Sequence, residues 1–285
     1  MIVNTIGMLR HAKENNYAVC SPNIFTLEEG IACIQAGEEL GAPVLIDMGR
    51  ISEESYTLET RRPLVNLMHA LEPYAMEAKV PIAFQHDHGP TFGSAMACIA
   101  AGFTSIMVDR SELPYEENVA QVAELVKIAH SCGVSVESEI GHVGLGTNYT
   151  IDGVSNLTEP DMARDFVERT GVDALAIAVG TAHGHYKGTP HINFDIIDAC
   201  LKEVDVPLVL HGGSFSGDEL LERAAHSGMS KINIATELGK SGVDRVKYEI
   251  ETNNIKPLFY RNYYHEGFKQ KVMHYMKLFG AAGRY

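Results

Sequence analysis

Tryptophan is absent from this chain of 285 residues, and basic side chains are scarce: 23 Lys and Arg stand against 37 Asp and Glu, a formal charge of −14. Binding a nucleic-acid backbone needs a basic footprint, so the charge argues against a nucleic-acid partner while leaving local anion sites open. The five cysteines (Cys20, Cys33, Cys98, Cys132 and Cys200) form no CxxC pair. An odd number cannot close into a full disulfide framework, which points to a reducing compartment. No stretch approaches the roughly 18 apolar residues of a membrane span. The first residues, with Arg10 and Lys13, lack an apolar segment ending in a small-residue cleavage site. The expectation is a cytoplasmic protein with no membrane association. Linkers rich in Pro or Ser and low-complexity tracts are also missing, so one domain over residues 1–285 is the simplest division. At 45% hydrophobic and 21% charged, the composition supports a full core and argues against disorder.

Short apolar, β-branched runs recur along the chain at 17–23, 43–49, 81–89, 105–111, 135–141, 174–180, 207–213 and 231–237. Between them lie amphipathic segments. From Glu117 to His130, for example, Val119, Val122, Ala123, Leu125, Val126 and Ala129 recur at helical spacing. Eight strand-and-helix units in somewhat over 250 residues match a (β/α)8 TIM barrel, with a doubly wound sheet as the alternative. The polar residues favour the barrel, because they gather where the runs end: Asn23, Asp47, Asp87 with His88, Asp109, Glu139, His183, His211, and Asn233 with Thr236. Barrel enzymes build their sites at the carboxyl ends of strands. Two segments break the rhythm. Residues 141–160 contain Gly141, Gly144, Gly146 and Gly153 with few apolar anchors and read as a loop over the strand ends. Residues 253–285 follow the last unit and leave room for a C-terminal helical extension over 266–279.

Three histidines, His88, His183 and His211, close three different strands, and each is followed by glycine. Three neutral imidazoles facing one cavity make a divalent-metal site with a position left for substrate. Zinc is the first choice, with cobalt, iron and manganese compatible. Asp87, beside His88, is either a general acid/base or a carboxylate that orients a ligand imidazole. Gly212-Gly213-Ser214 and Asn233-Ile234-Ala235-Thr236 follow the seventh and eighth runs, where barrels commonly bind phosphate, and Lys187 can supply an opposing charge. Asp109 and Glu139 can bind a second cation or hold the loop by hydrogen bonds. His86, His185, His191 and Asp47 receive no role. Phe259, Tyr260, Tyr263 and Tyr264 read as packing or oligomer surface.

These residues resemble the class II, metal-dependent ketose-bisphosphate aldolases, of fructose- and tagatose-bisphosphate type. The likeness runs through Asp87-His88-Gly89, Gly180-Thr181-Ala182-His183-Gly184, Leu210-His211-Gly212-Gly213-Ser214 and Asn233-Ile234-Ala235-Thr236-Glu237, in family order, and extends from Asn23 to the C-terminal Phe279-Gly280-Ala281-Ala282-Gly283. The resemblance implies that His88, His183 and His211 hold a catalytic zinc ion. Asp87 then moves the proton of the C4 hydroxyl while the metal stabilises the enediolate. Asn23, Gly184, Gly212, Gly213, Ser214 and residues Asn233, Ile234, Ala235 and Thr236 would bind the substrate and its phosphate. Asp109 and Glu139 match second-metal positions of some members, and a monovalent cation near the phosphate loops is common there. The expected products are dihydroxyacetone phosphate and an aldehyde, and the expected assembly is a homodimer or homotetramer.

Departures from the family pattern concern the loop and the distal end of the substrate. The family's acidic loop pair is replaced by Gly144-Leu145-Gly146-Thr147-Asn148, leaving Asp152 as the nearby acid. His265 stands where the family presents an arginine toward a distal phosphate, and imidazole does not replace a bidentate guanidinium. A C6 group other than an ordinary phosphate, such as a sulfonate or an uncharged, deoxy or acid-bearing terminus, is compatible. Two rival readings remain. One is a catalytically silent sugar-phosphate-binding barrel. The other is a barrel metal hydrolase, suggested by the His86-Asp87-His88 pair.

Overall fold

The computed structural model describes residues 1–49, 62–148, 157–253 and 257–285. Eight strands, β1 (Val19–Pro22), β2 (Val44–Met48), β3 (Ile82–Gly89), β4 (Ser105–Val108), β5 (Ser135–Ile140), β6 (Ala174–Ile177), β7 (Leu208–Leu210) and β8 (Met229–Ile234), form one sheet in the order β1-β8-β7-β6-β5-β4-β3-β2. Each of these neighbouring strands pairs in parallel. The two end strands meet at a parallel bridge, Asn23 with Asp47, where the Ile24 N–H donates to the Asp47 carbonyl at 2.9 Å. The sheet thereby curls into a nearly closed TIM barrel.

Seven of the eight apolar runs read from the sequence contain one strand and the last overlaps one, but most strands stop short of the expected end. Asp109, His183 and His211 stand just beyond their strands, on the loops of the carboxyl face. The eighth strand starts two residues earlier than expected, at Met229, because Gly228 (φ +102°) turns the chain there. Its expected end at Glu237 already belongs to a helix.

Helices α1 (Thr5–Glu14), α2 (Leu27–Leu40), α3 (Arg62–Glu77), α4 (Phe92–Ala100), α5 (Tyr115–Ser131), α6 (Pro160–Thr170), α7 (Phe194–Glu203), α8 (Asp218–His226), α9 (Thr236–Asn253) and α10 (Tyr260–Leu278) alternate with the strands or extend beyond them. Local chemistry sets their ends. Thr26 caps α2 through the Glu29 N–H while Glu29 returns a carboxylate to the Thr26 N–H, and Gly41 closes the helix in the left-handed region. The amphipathic segment read as 117–130 is α5, two residues longer at its start. The C-terminal extension is longer than its expected 266–279 and packs on α2, with His265 and Lys269 reaching Gln35 and Glu39. At the opposite end of the barrel α1 lies under the strand starts, tied by Val3 to Ile82 and by Asn4 to Gly133.

The strands are buried on both faces, as parallel strands covered by helices must be. Their interior is nevertheless polar. Ser21, Asp47, Gln85, Ser105, Glu137 and Lys231 all point into the barrel and hydrogen-bond to one another. This buried layer lies directly beneath the residues that close the strands.

Candidate active site

Parallel strands alternate their side chains between barrel and helix layer, so adjacent residues should face opposite ways. At the end of β3 that rule breaks. The register with β4 shifts between His86 and Gly89, and His88 adopts φ +46°, in the left-handed region. The bulge lets Asp87 and His88 both face the cavity, with 4.0 Å between Asp87 Oδ1 and His88 Nε2. His86 stays on the outer side, buried against the Phe103 ring and 3.4 Å from the Met48 carbonyl. The geometry therefore does not pair His86 with His88, and the hydrolase-type His-x-His site is corrected to a single inward histidine.

His88, His183 and His211 converge: one nitrogen from each lies within 4.8 Å of the others. The remaining nitrogens are held from behind. His88 Nδ1 faces Asp109 Oδ2 at 2.7 Å, His183 Nδ1 faces the Val143 carbonyl at 3.1 Å, and His211 Nε2 faces Glu137 Oε1 at 2.8 Å. Donation by these three leaves His88 Nε2, His183 Nε2 and His211 Nδ1 as lone-pair donors aimed at one point. The His183 Nε2 atom is buried with no hydrogen-bond partner in the structure. A buried orphan nitrogen beside two convergent imidazoles is the donor set that a borderline divalent cation such as zinc accepts, so the residues fit the metal. Burial, together with His88 and His211, holds His183 near a pKa of about 3, and burial also lowers His211. Burial lowers His88 as well, but Asp87 and Asp109 outweigh it and raise that ring to about 10 in the metal-free site, so a bound cation would have to displace its Nε2 proton.

Asp87 is the wall between two cavities. Burial would raise its pKa, yet His88, His211, Lys231 and the Asn23 amide outweigh burial and hold the carboxyl well below the usual range. Asn23 Nδ2 donates to its Oδ2 at 2.7 Å, and Asn233 Nδ2 stands 3.4 Å from its Oδ1. The smaller cavity, about 110 Å³, is lined by Asn23, Asp87, His183, Gly184, His211, Gly212, Gly213, Ser214, Asn233, Ala235 and Thr236. Its floor requires glycine. Gly212 has φ +70°, and a Cβ there would meet the Ala182 carbonyl oxygen at 2.5 Å. Ser214 Oγ accepts from the Ala235 and Glu237 N–H groups at 3.0 and 3.4 Å, joining this loop to the first turn of α9. Tyr186, not singled out by sequence, takes the Ala182 N–H and donates to the Gly212 carbonyl. The larger cavity, about 780 Å³, opens beyond Asp87 and His88 and includes Phe25, Arg110, Glu112, Gln121, His142 and Leu145.

Other sequence candidates lie elsewhere. Ile234 is buried beneath the Gly212-Gly213-Ser214 loop rather than lining the cavity, with its Cδ1 atom against Gly213. Lys187 is exposed and outside both linings. His265 is on α10, facing the Glu28 carbonyl and Gln35. Asp109 and Glu139 do gather around His88 within 4.8 Å. The His88 Nδ1 atom on that side already faces Asp109, and Ser111 also donates to Asp109. Burial, with Asp109 adding to it, pushes Glu139 up to about 8. Asp152 lies outside the described residues.

The sequence reading missed Lys231 and the use of Asp47. Lys231 is fully buried, with Nζ 3.0 Å from Glu137 Oε2 and 3.3 Å from Asp47 Oδ2. Burial opposes its charge, but Asp47, Glu137 and Asp87 prevail and raise its pKa. Glu137, opposed by burial but drawn down by Lys231 and His211, sits near 2, whereas burial lifts Asp47 to about 8. A period-two reading would have flagged the group: Lys231 and Asn233 alternate along one strand, as Glu137 and Glu139 do along another.

Comparison with known proteins agrees with this geometry. Residues 3–284 match the family described as "Fructose-bisphosphate aldolase class-II". The chain is 36% identical over 292 residues to the fructose-bisphosphate aldolase of Staphylococcus aureus, covering 99% of both. It is 35% identical over 285 residues to the Bacillus subtilis protein named "Probable fructose-bisphosphate aldolase", again covering 99% of both. Among solved structures, the YdjI aldolase of Escherichia coli K12 superposes with a TM-score of 0.86 at 31% identity, over 100% of this chain and 99% of that one. A barrel whose strand ends gather this site, matched along nearly its whole length, belongs to the class II fructose-bisphosphate aldolase family and is a lyase.

Proposed function

We propose that this protein is a zinc-dependent aldolase that reversibly cleaves a ketose 1-phosphate to dihydroxyacetone phosphate and an aldehyde. The observation that carries the reading is the convergence of His88 Nε2, His183 Nε2 and His211 Nδ1 beside the Asp87 carboxylate, between a small glycine-floored cavity and a broad one. His88, His183 and His211 would hold the cation, which when bound polarises the ketose carbonyl so that the C3–C4 bond can break without a lysine Schiff base.

The chain's own residues do the rest. The small cavity takes the 1-phosphate: Gly184, Gly212, Gly213, Ser214, Ala235 and Thr236 surround it, and α9 starts at Thr236, presenting the positive end of its dipole. Asn23 and Asn233 orient Asp87. Asp87, held ionised, is in the form that accepts the C4 hydroxyl proton during cleavage and returns it during condensation. The aldehyde half occupies the broad cavity. Arg110 and His142 there can meet an acidic terminus, while His265, in place of the family arginine, is turned to the Glu28 carbonyl and Gln35; the reading therefore takes a distal end other than an ordinary 6-phosphate: a sulfonate, or an uncharged, deoxy or acid-bearing terminus.

The same reading takes residues 1–285 as one domain, in a cytoplasmic homodimer or homotetramer acting on a sugar phosphate rather than on nucleic acid or membrane. Among the described residues, no helix is long and apolar enough to cross a membrane. Asp109 and Glu139 would hold a second cation, and the phosphate loops would take a monovalent cation. Such a second cation would have to displace the Asp109 contact of His88.

A coupled assay for dihydroxyacetone phosphate tests the proposal, run on zinc-loaded and EDTA-treated protein with fructose and tagatose 1,6-bisphosphates and C6-altered ketose 1-phosphates. Metal-dependent release is expected, fastest with a C6-altered substrate. Zinc binding without cleavage of any ketose phosphate would favour the silent sugar-phosphate-binding barrel instead, a reading supported by the absence of a carboxylate from residues 143–148. Fructose 1,6-bisphosphate cleaved far faster than every analogue would overturn the distal-end assignment alone.

A further inference from the structure

Lys231 has no role in the cleavage step, yet it is a fully buried cation held between two carboxylates. Its ammonium lies between two chains of hydrogen bonds. One runs through Glu137, whose Oε2 is 3.0 Å from Lys231 Nζ and whose Oε1 is 2.8 Å from His211 Nε2. The other runs through Asp47, whose Oδ2 is 3.3 Å from Lys231 Nζ and accepts from Asn233 Nδ2 at 2.8 Å; the same Asn233 nitrogen stands 3.4 Å from Asp87 Oδ1. Gln85 and Ser21 brace the two carboxylates from the side, at 3.0 and 2.7 Å.

Stability alone is a weak explanation for this arrangement. Ion pairs buried this deeply gain little over apolar residues of similar volume, because desolvation consumes the Coulomb energy. The barrel interior had the usual alternative of branched aliphatic layers. What the charged layer does, and an aliphatic one cannot, is place directed hydrogen bonds under the residues above it. His211 needs its Nε2 proton held so that Nδ1 faces the cavity, and Asp87 needs its carboxylate held at a fixed angle.

We propose that Lys231 is a positioning residue that orients both halves of the site from one anchor: the ring of His211 through Glu137, and the carboxylate of Asp87 through Asp47 and Asn233. The inference rests on the aldolase reading of the same site. It also gives Asp47, a strand-end acid without direct access to either cavity, its function.

The test uses full-length protein and reads metal binding apart from turnover. Lys231→Met alone strands two buried carboxylates and is a poor probe, so the first variant is Lys231→Met with Glu137→Gln, which removes the Lys231–Glu137 pair and leaves one carboxyl group, Asp47, to take up a proton. Metal affinity is measured by competition with a chromophoric chelator, and site geometry by the visible absorption of the Co²⁺-loaded protein. The double variant is expected to unfold cooperatively, to bind metal roughly 10- to 100-fold more weakly and to show an altered Co²⁺ spectrum.

The second arm is Asp47→Ala, which breaks only the Asp87 branch, beside Asp47→Asn, which keeps an acceptor oxygen. Asp47→Ala is expected to leave metal affinity and KM near wild type and to lower kcat roughly tenfold or more, with Asp47→Asn restoring most of it. Should the double variant fail to fold, this pair decides alone. A folded double variant with the wild-type Co²⁺ spectrum and affinity, or equal kcat in Asp47→Ala and wild type, would reduce Lys231 to a structural charge. Wild-type protein that neither binds metal nor releases dihydroxyacetone phosphate would instead remove the aldolase reading on which the inference rests.

Discussion

Asp87 on β3 and Glu139 on β5 are buried carboxyl groups of one barrel, and their surroundings drive them in opposite directions. Around Asp87, cationic and amide neighbours overcome burial, and the group stays ionised. Replacing it with alanine removes the proposed proton acceptor but none of the three imidazoles. The expected outcome for Asp87→Ala is a kcat lowered by roughly 100- to 10,000-fold with metal stoichiometry unchanged, read by the coupled assay and by metal analysis of the same sample. Glu139 has burial and Asp109 against its charge and titrates at about 8. In the unfolded chain it has an ordinary carboxyl value, so the fold prefers its neutral form. Its contribution to stability is complete below the ordinary carboxyl range and is lost as pH rises toward and through about 8. Metal-free wild type should therefore lose stability relative to Glu139→Gln between about pH 6 and about pH 8, by on the order of 1–2 kcal/mol, measured by urea unfolding at the two pH values. Equal changes in the two proteins would show that Glu139 is already ionised at the lower pH.

At the level of strands and loops, the sequence disclosed position better than direction. All eight strands and the three histidines were legible because apolar runs and their polar ends are separate signals along the chain. The polar layer beneath the site was not. Parallel strands are buried on both faces, so period two groups Lys231 with Asn233 without telling whether that face meets the barrel interior or a helix. The break at His86 to Gly89 was equally hidden, since only pairing with β4 reveals a register shift. The two cavities are assembled from loops far apart in the chain, which is why Arg110, His142 and Tyr186 went unnoticed. The phosphate loop offers a test at this scale. Gly212→Ala must place a Cβ 2.5 Å from the Ala182 carbonyl at φ +70°, so one of the two loops has to move. The expected cost is about 1–3 kcal/mol of stability with a KM for ketose phosphate raised at least tenfold, seen in thermal unfolding and steady-state kinetics. An unchanged KM would place the phosphate elsewhere.

For the molecule as a whole, the site and the fold share one set of contacts. His88 stands at the end of β3, and His183 and His211 on the loops after β6 and β7, so a cation held by them would link segments that are distant in the chain. A ligand that binds only the folded state stabilises it by mass action, adding about 4 kcal/mol at a thousandfold excess over Kd. EDTA treatment is expected to lower Tm by several degrees, and added zinc to restore it in wild type and Asp87→Ala but not in His183→Ala. Differential scanning calorimetry over a zinc series checks this, and a Tm indifferent to zinc in wild type would deny the metal its place. The bulge in β3 has a consequence on the same scale. Deleting one residue there, so that the strand regained regular pairing, would leave the hydrophobic layers, the helices and the barrel closure intact while turning Asp87 and His88 to opposite faces. The distance between this catalyst and an inert barrel of the same shape is thus a single codon, and a close relative lacking that codon could keep every hallmark of the fold while having lost its chemistry.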